Sequence, residues 1–306
     1  MKRKVILSIA SITLIIILIF LLSPFTRYIL KQGYRQAGLL LSRVSLEDAL
    51  KDEKLTPVIK KRIKLAKKAK VFGLTELGLK ENGNYETFVH IKNNCFVYVV
   101  TAAEALSFKL KRWNFPIVGS FPYKGFFEKA DAQAEKNVLK QKGYDTELRC
   151  SSAFSSLGWF KDPILSTMLT SDYRTIRVML HEMTHAAIWV TNKVTFNEAL
   201  AVFVAAKGVQ FYYKKYYTPK RYKRLLKYQK RSKIRRKKIK DLRAVLHKLY
   251  KSSLTKNEKL RKKDEILTAF STNNKKFYRG SKLNNAAIMS YGIYNFKIKT
   301  IEEYYH

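Results

Sequence analysis

Cysteine is nearly missing from this sequence. Cys95 and Cys150 are the only two among 306 residues, and no Cys-x-x-Cys pair is formed. That excludes a thiolate metal site, which needs several cysteines at short spacing. A single disulfide is open to the two, but so thin a usage fits two buried free thiols better. Acidic residues are also scarce, 23 against 61 Lys and Arg, for a formal charge of +38. Such a surplus draws a protein toward anionic surfaces, nucleic acid or lipid head groups, although a lysine-rich composition explains the same figure. Histidine occurs five times. There is no internal repeat. Disorder is excluded by the 46% of apolar residues, enough for a real core in one large or two small domains.

One long apolar run is present. Lys2, Arg3 and Lys4 precede 18 uncharged residues, Val5 to Leu22 (VILSIASITLIIILIFLL). A helix of that length reaches roughly 27 Å, close to a bilayer's hydrocarbon thickness. Pro24 then breaks it. The following LLSPFTR is a poor signal-peptidase site, and no nearby cysteine offers a lipid anchor. The reading is an uncleaved signal anchor: residues 1–27 form a cytoplasmic tip and transmembrane segment, and residues 28–306 lie outside the cytoplasm, on a periplasmic or extracellular face. Arg27, Lys31 and Arg35 on the far side pull against that orientation.

Residues 28–170 divide into a helical lead-in and a strand-rich part. Leu39, Leu40, Val44, Leu46 and Leu50, then Val58, Ile63 and Leu65, recur at helical spacing as far as about Lys70, and Thr56-Pro57 reads as a helix start. From Val71 to about Leu169, short runs such as YETFVHI, CFVYVVTA and FPIVGSF read as strands between Gly, Asn and Pro signals. EKADAQAEKNVLKQK (128–142) interrupts them as a polar helix, and SSLGWFKDP (155–163) reads as a strand entering a turn. Residues 171–217 read as two helices, DYRTIRVMLHEMTHAAIWV and, from near Thr195, FNEALAVFVAAKGVQFYY. Residues 218–306 are basic and helical.

The chemistry gathers at 181–198. In LHEMTHAAIW, His181 and His185 stand at i and i+4, on one helix face, so both imidazoles can converge on one ion. Imidazole nitrogen suits zinc. Glu182 is rotated by about 100° from His181, away from the ion's first coordination sphere but within reach of a water beside it. A catalytic zinc takes three protein ligands and keeps one position open. Glu198, with twelve residues between it and His185, sits on the next helix after a short turn at Thr191–Lys193 and can be the third. It has a competing role: Thr195-Phe196-Asn197-Glu198 fits a capping box, in which the glutamate returns to the cap's own N–H.

Beyond these residues the chain resembles the bacterial putative aminopeptidases of the gluzincin type, HExxH metallopeptidases whose third ligand is a glutamate on the following helix. HEMTH and FNEALAVFV are similar to the signature block. KQGYRQAGLLLSR (31–43), FPIVGSFPYKGFF (115–127), SSLGWFKDPILSTML (155–169) and LNNAAIMSYGIYN (283–295) resemble further blocks in the same order. The resemblance departs at Lys193, where an acidic residue is expected, and at Ala199, where Ser or Gly is. It implies an α+β, zincin-like metallopeptidase with an N-terminal transmembrane helix, a small mixed or antiparallel sheet, an HExxH active-site helix and a largely helical C-terminal part. It implies one Zn2+ on His181, His185 and Glu198, with Glu182 as general base and a peptide as substrate. Tyr123, Tyr291 and Tyr294, in the matching blocks, are candidates for the donor to a tetrahedral oxyanion. Glu104 is the candidate carboxylate for a substrate ammonium group, and SSLGWF a candidate edge strand for an extended peptide.

The alternative is a non-enzymatic, membrane-associated binder. Residues 212–263 hold 23 Lys or Arg against two acids, and could lie along anionic lipid. No nucleic-acid motif accompanies them, and an exported location argues against DNA, so no nucleic-acid partner is expected. Leu225, Leu226, Ile234, Ile239, Leu242, Leu246 and Leu249 give the tract an apolar stripe for packing. His90, His247 and His306 stand outside any motif.

Overall fold

The computed structural model describes residues 23–115, 119–153, 160–275, 283–295 and 301. They belong to two compact units, divided between Arg43 and Val44. In the first, helix α1 (Pro24–Leu41) is capped by Ser23, whose Oγ accepts the Thr26 N–H at 3.0 Å. Pro24 therefore opens a helix, where its missing N–H costs nothing.

The expected fold is corrected here. Among the described residues no helix is long and apolar enough to cross a membrane. Arg27, Lys31 and Arg35 keep α1 polar. The fold is a mostly helical α+β arrangement with small sheets, and the run 5–22 lies outside the described residues.

The second unit opens with β1 (Val44–Ser45), α2 (Leu46–Lys51) and α3 (Pro57–Leu77). Thr56 caps α3 through its Oγ1, and Gly78, at φ +65°, ends it. The helix thus runs seven residues beyond Lys70, because Phe72 and Gly73 are buried and the left-handed stop comes only at Gly78. Next come β2 (Thr87–Val89), β3 (Val97–Glu104), β4 (Trp113–Phe115), β5 (Gly119–Phe121), β6 (Lys124–Phe126), α4 (Lys129–Gln141), β7 (Tyr144–Ser151) and β8 (Ile164–Leu165). In place of one small sheet the described residues form three: β1-β2-β8, mixed; β6-β3-β7, antiparallel; and the hairpin β4-β5. Most of SSLGWF lies outside the described residues.

The cysteines are also corrected. Cys95 and Cys150 form a disulfide, with their Cα atoms 5.5 Å apart. The register explains it. Tyr98 pairs with Cys150, and the Phe96 N–H donates to Ser151 O at 3.2 Å, so residue 95 comes to the end of β7. Cys150 is exposed.

Among the described residues helices follow: the two of the central pair, α5 (Asp172–Ala187) and α6 (Val194–Tyr216), then α7 (Pro219–Lys251), α8 (Lys256–Asn273) and α9 (Asn285–Asn295). Helices α3, α5 and α6 meet around Leu180, which is fully buried. A Cβ on Gly73 would stand 2.8 Å from Met183 Cε, and one on Gly208 2.7 Å from Leu180 Cδ1. The two glycines are what lets the neighbours close on α5. A second core joins Ile239, Leu242 and Leu246 of α7 to Leu267 of α8 and to Leu283 and Ile288. The apolar stripe of the basic tract is used in this packing. Helix α9 lies along β3 and β7.

Candidate metal centre

Helix α5 starts at Ser171, whose Oγ accepts the Arg174 N–H at 3.2 Å. Its apolar side, Ile176, Met179, Leu180 and Met183, is buried. That fixes the roll of the helix and aims His181 and His185, four residues apart, toward α6. The helix stops at Ala187, three residues before the end of its apolar pattern, and Asn192 turns the chain at φ +61°. Asn197 fastens this turn: its Oδ1 accepts the Val190 N–H at 3.0 Å, and its Nδ2 donates to Val190 O at 2.8 Å. Glu198 is the next residue, so the clamp on the turn also sets the carboxylate. The capping-box role is absent: α6 begins at Val194 without a side-chain cap, and Glu198 faces the histidines.

Glu198 Oε2 stands 3.3 Å from His181 Nε2 and 3.5 Å from His185 Nε2. These are long for charge-assisted hydrogen bonds, which run at about 2.7–2.9 Å. They match the separation of about 3.3–3.4 Å between donors placed tetrahedrally about 2.0–2.1 Å from a shared ion. Two imidazole nitrogens and a carboxylate oxygen are also the donor types zinc takes. His181, His185 and Glu198 could thus hold a metal ion.

The electrostatics are tightly coupled. Burial by itself would raise the Glu198 carboxyl, but the two imidazoles outweigh it and hold the group at about 2. His185 is raised: burial opposes its charge, and Glu198 more than compensates. Glu182 is buried, and burial raises it despite the two histidines. A raised carboxyl accepts a proton more readily than an ordinary glutamate does.

Three aromatic contacts wall the site. Trp189 packs edge-on to His185 at 5.4 Å between ring centroids and stacks on Phe121 at 6.3 Å. Tyr123 in turn meets Phe121 at 5.6 Å. Hairpin β4-β5 reaches this point because Gly119, at φ +84°, has no Cβ; one would lie 2.5 Å from Asn192 Oδ1. That oxygen accepts the Ser120 N–H at 3.2 Å. On the other side, the Tyr294 ring lies 6.5 Å from His181. Burial, tempered by Arg149, sets the Tyr294 phenol at about 12, so it is a proton donor at neutral pH.

Of the sequence candidates, the structure brings together His181, His185, Glu198, Glu182, Tyr123 and Tyr294. It does not bring Tyr291, which packs against the second core with Arg235 over its ring. Nor does it bring Glu104, whose carboxylate takes the Ser107 hydroxyl at 2.7 Å and stands 3.6 Å from Lys109 Nζ.

Two residues escaped the sequence reading. Arg149 of β7 donates through Nη2 to Tyr294 Oη at 2.8 Å. Tyr85 is buried at φ +65°, a backbone conformation a bulky residue rarely takes, and it faces Glu182 electrostatically. Charged residues alternating along YDTELRCS were the available signal for the first. Nothing in GNYE marked the second.

No curated protein and no solved structure matches the chain. The model of one family, described as "Putative aminopeptidase", matches residues 27–306, nearly the whole described fold, and the chain belongs to that putative aminopeptidase family.

Proposed function

We propose that this protein is a zinc-dependent peptidase of the gluzincin kind, acting as an aminopeptidase. The observation that carries the reading is the convergence of His181, His185 and Glu198, three buried or nearly buried donors on two helices, with the carboxylate oxygen 3.3 and 3.5 Å from the two imidazole nitrogens, close to what a shared tetrahedral ion requires. Zinc held there would supply a Lewis acid for the scissile carbonyl and make water acidic enough to attack near neutral pH.

The chain's own groups supply the rest. Glu182, its carboxyl raised by burial, takes the proton of the attacking water at a carboxylate oxygen and passes it to the leaving amine. Tyr294 and Tyr123, kept protonated by burial, offer O–H donors to an oxyanion. Trp189, Phe121 and Tyr123 restrict water on one side. The substrate is a peptide.

The test joins metal analysis to hydrolysis of aminoacyl amides. The purified protein should carry one zinc per chain. Glu182→Gln should keep that zinc and lose hydrolysis by at least about a hundredfold, the usual weight of a general base. Wild-type rates in that variant would rule out Glu182 as the base.

A further inference from the structure

Arg149 is a partly buried cation beside the metal centre that the mechanism above leaves unused. Its Nη2 bonds Tyr294 Oη, and its guanidinium carbon lies 4.7 Å from that ring's centroid. Its Nε is enclosed, and among the described residues has no hydrogen-bond partner. Among the same residues no carboxylate stands within ion-pair distance of it; Glu147, two residues along β7, acts on it only as a neighbouring charge. A partly buried cation without a close counter-charge is costly. The position is nevertheless fixed firmly, between Tyr294 and the antiparallel β3–β7 register that pairs Arg149 with Val99.

We propose that Arg149 receives the C-terminal carboxylate of a short peptide, so that the preferred substrates are dipeptides cleaved one residue from their free C-terminus. The inference rests on the peptidase reading and narrows its substrate class. Order along the wall supports it. The Tyr294 ring stands 6.5 Å from His181, and Arg149 bonds the Tyr294 hydroxyl. A peptide whose reacting carbonyl meets the tyrosine thus has the guanidinium within one hydrogen-bond length of that donor. One residue spans about 3.3–3.6 Å, the scale of that step. A planar guanidinium with free N–H groups on one edge matches a carboxylate in two-point contact, and a developing single oxyanion less well. Tyr294 Oη adds a donor next to that edge.

Two probes differ only at the group in question: L-alanyl-L-alanine and L-alanyl-L-alanine amide. Their binding is measured by calorimetry to the full chain carrying Glu182→Gln, loaded with zinc, with zinc content determined on the same samples. The dipeptide should bind tighter than the amide by roughly 10- to 150-fold, the effect of hydrogen bonds to a charged group. Arg149→Gln should erase that preference while leaving amide binding and zinc content as they were. Arg149→Lys, which keeps the charge without the fork, should restore part of it. Equal weakening of both probes by either variant, or no preference in the parent, would overturn the proposal. Lack of zinc would instead sink the peptidase reading, and the probe preference still decides the role of Arg149.

Discussion

The two ends of the pairing between β7 and α9 make opposite use of buried polar groups. At one end, Asp145 Oδ2 accepts from Lys263 Nζ at 2.5 Å and from the Asn285 N–H at 2.7 Å. Lys263 also donates to Ala105 O at 2.8 Å. Asn285 Nδ2 donates to the carbonyls of Glu104, Ala105 and Ser107, and its Oδ1 accepts from Tyr250 Oη at 2.7 Å. At the other end, Arg149 Nε and Glu198 Oε2 are buried without hydrogen-bond partners among the described residues. A completed network holds architecture together; an incomplete one is tolerated where a ligand completes it. The difference separates what keeps α9 in place from what the site is built to receive.

The sharpest break of that comparison swaps one residue from each end. Glu198→Gln should abolish zinc binding, read by metal analysis, while moving the melting temperature in chelator less than the change at the other end does. Asp145→Ala leaves Lys263 buried and uncompensated, and should cost about 3–5 kcal/mol of stability in denaturant titration without altering zinc per folded chain. If the two phenotypes trade places, the division of labour is wrong.

Next in size is the Cys95–Cys150 bridge, which closes 55 residues of sequence. Chain-entropy reasoning puts its reduction at up to about 4 kcal/mol, measurable by denaturation with and without reductant.

The pH dependence sharpens the contrast by sign. In chelator, the lowered Glu198 contributes stability that is complete above its unfolded value near 4.5 and lost as pH falls toward about 2. The raised His185 contributes stability that is complete below 6.5 and lost as pH rises through its folded value. Both are whole between 4.5 and 6.5, but the raised Glu182 loses stability as pH climbs above 4.5, so the metal-free protein should melt highest at the acid end of that window. With zinc the order should reverse above that window, because the metal needs neutral imidazole. Parallel thermal scans with zinc and with chelator check it.

The smallest effect is Gly208→Ala, expected to cost about 1 kcal/mol, since only the terminal methyls of Leu180 and Leu77 must yield.

Much of the centre was legible because a helix converts spacing into direction. His181, Glu182 and His185 needed only the 3.6-residue period, and Glu198 only a following helix. Glu104 and Tyr291 misled for the complementary reason. Their place in a promising segment says nothing of which side of a strand or helix meets the site, and that is decided by pairing across 40 or more residues. Arg149 was hidden likewise, since its neighbour Tyr294 lies 145 residues away in sequence. The disulfide depended on the β3–β7 register. The single sheet expected from the strand-like runs divided into three because the long strands β3 and β7 pair with each other and with β6, while β2, β4 and β5 are only three residues long and pair elsewhere; the helix before them ran on until Gly78.

The bridge at Cys95–Cys150 encloses Tyr123 and Arg149 but none of His181, His185 and Glu198. Laboratory handling can therefore separate two properties that usually travel together. On the roles proposed above, a preparation kept in thiol buffer, the ordinary precaution for a protein with cysteines, should keep its metal and hold a substrate less well. Metal content alone would then leave the segment that carries Tyr123 and Arg149 unexamined.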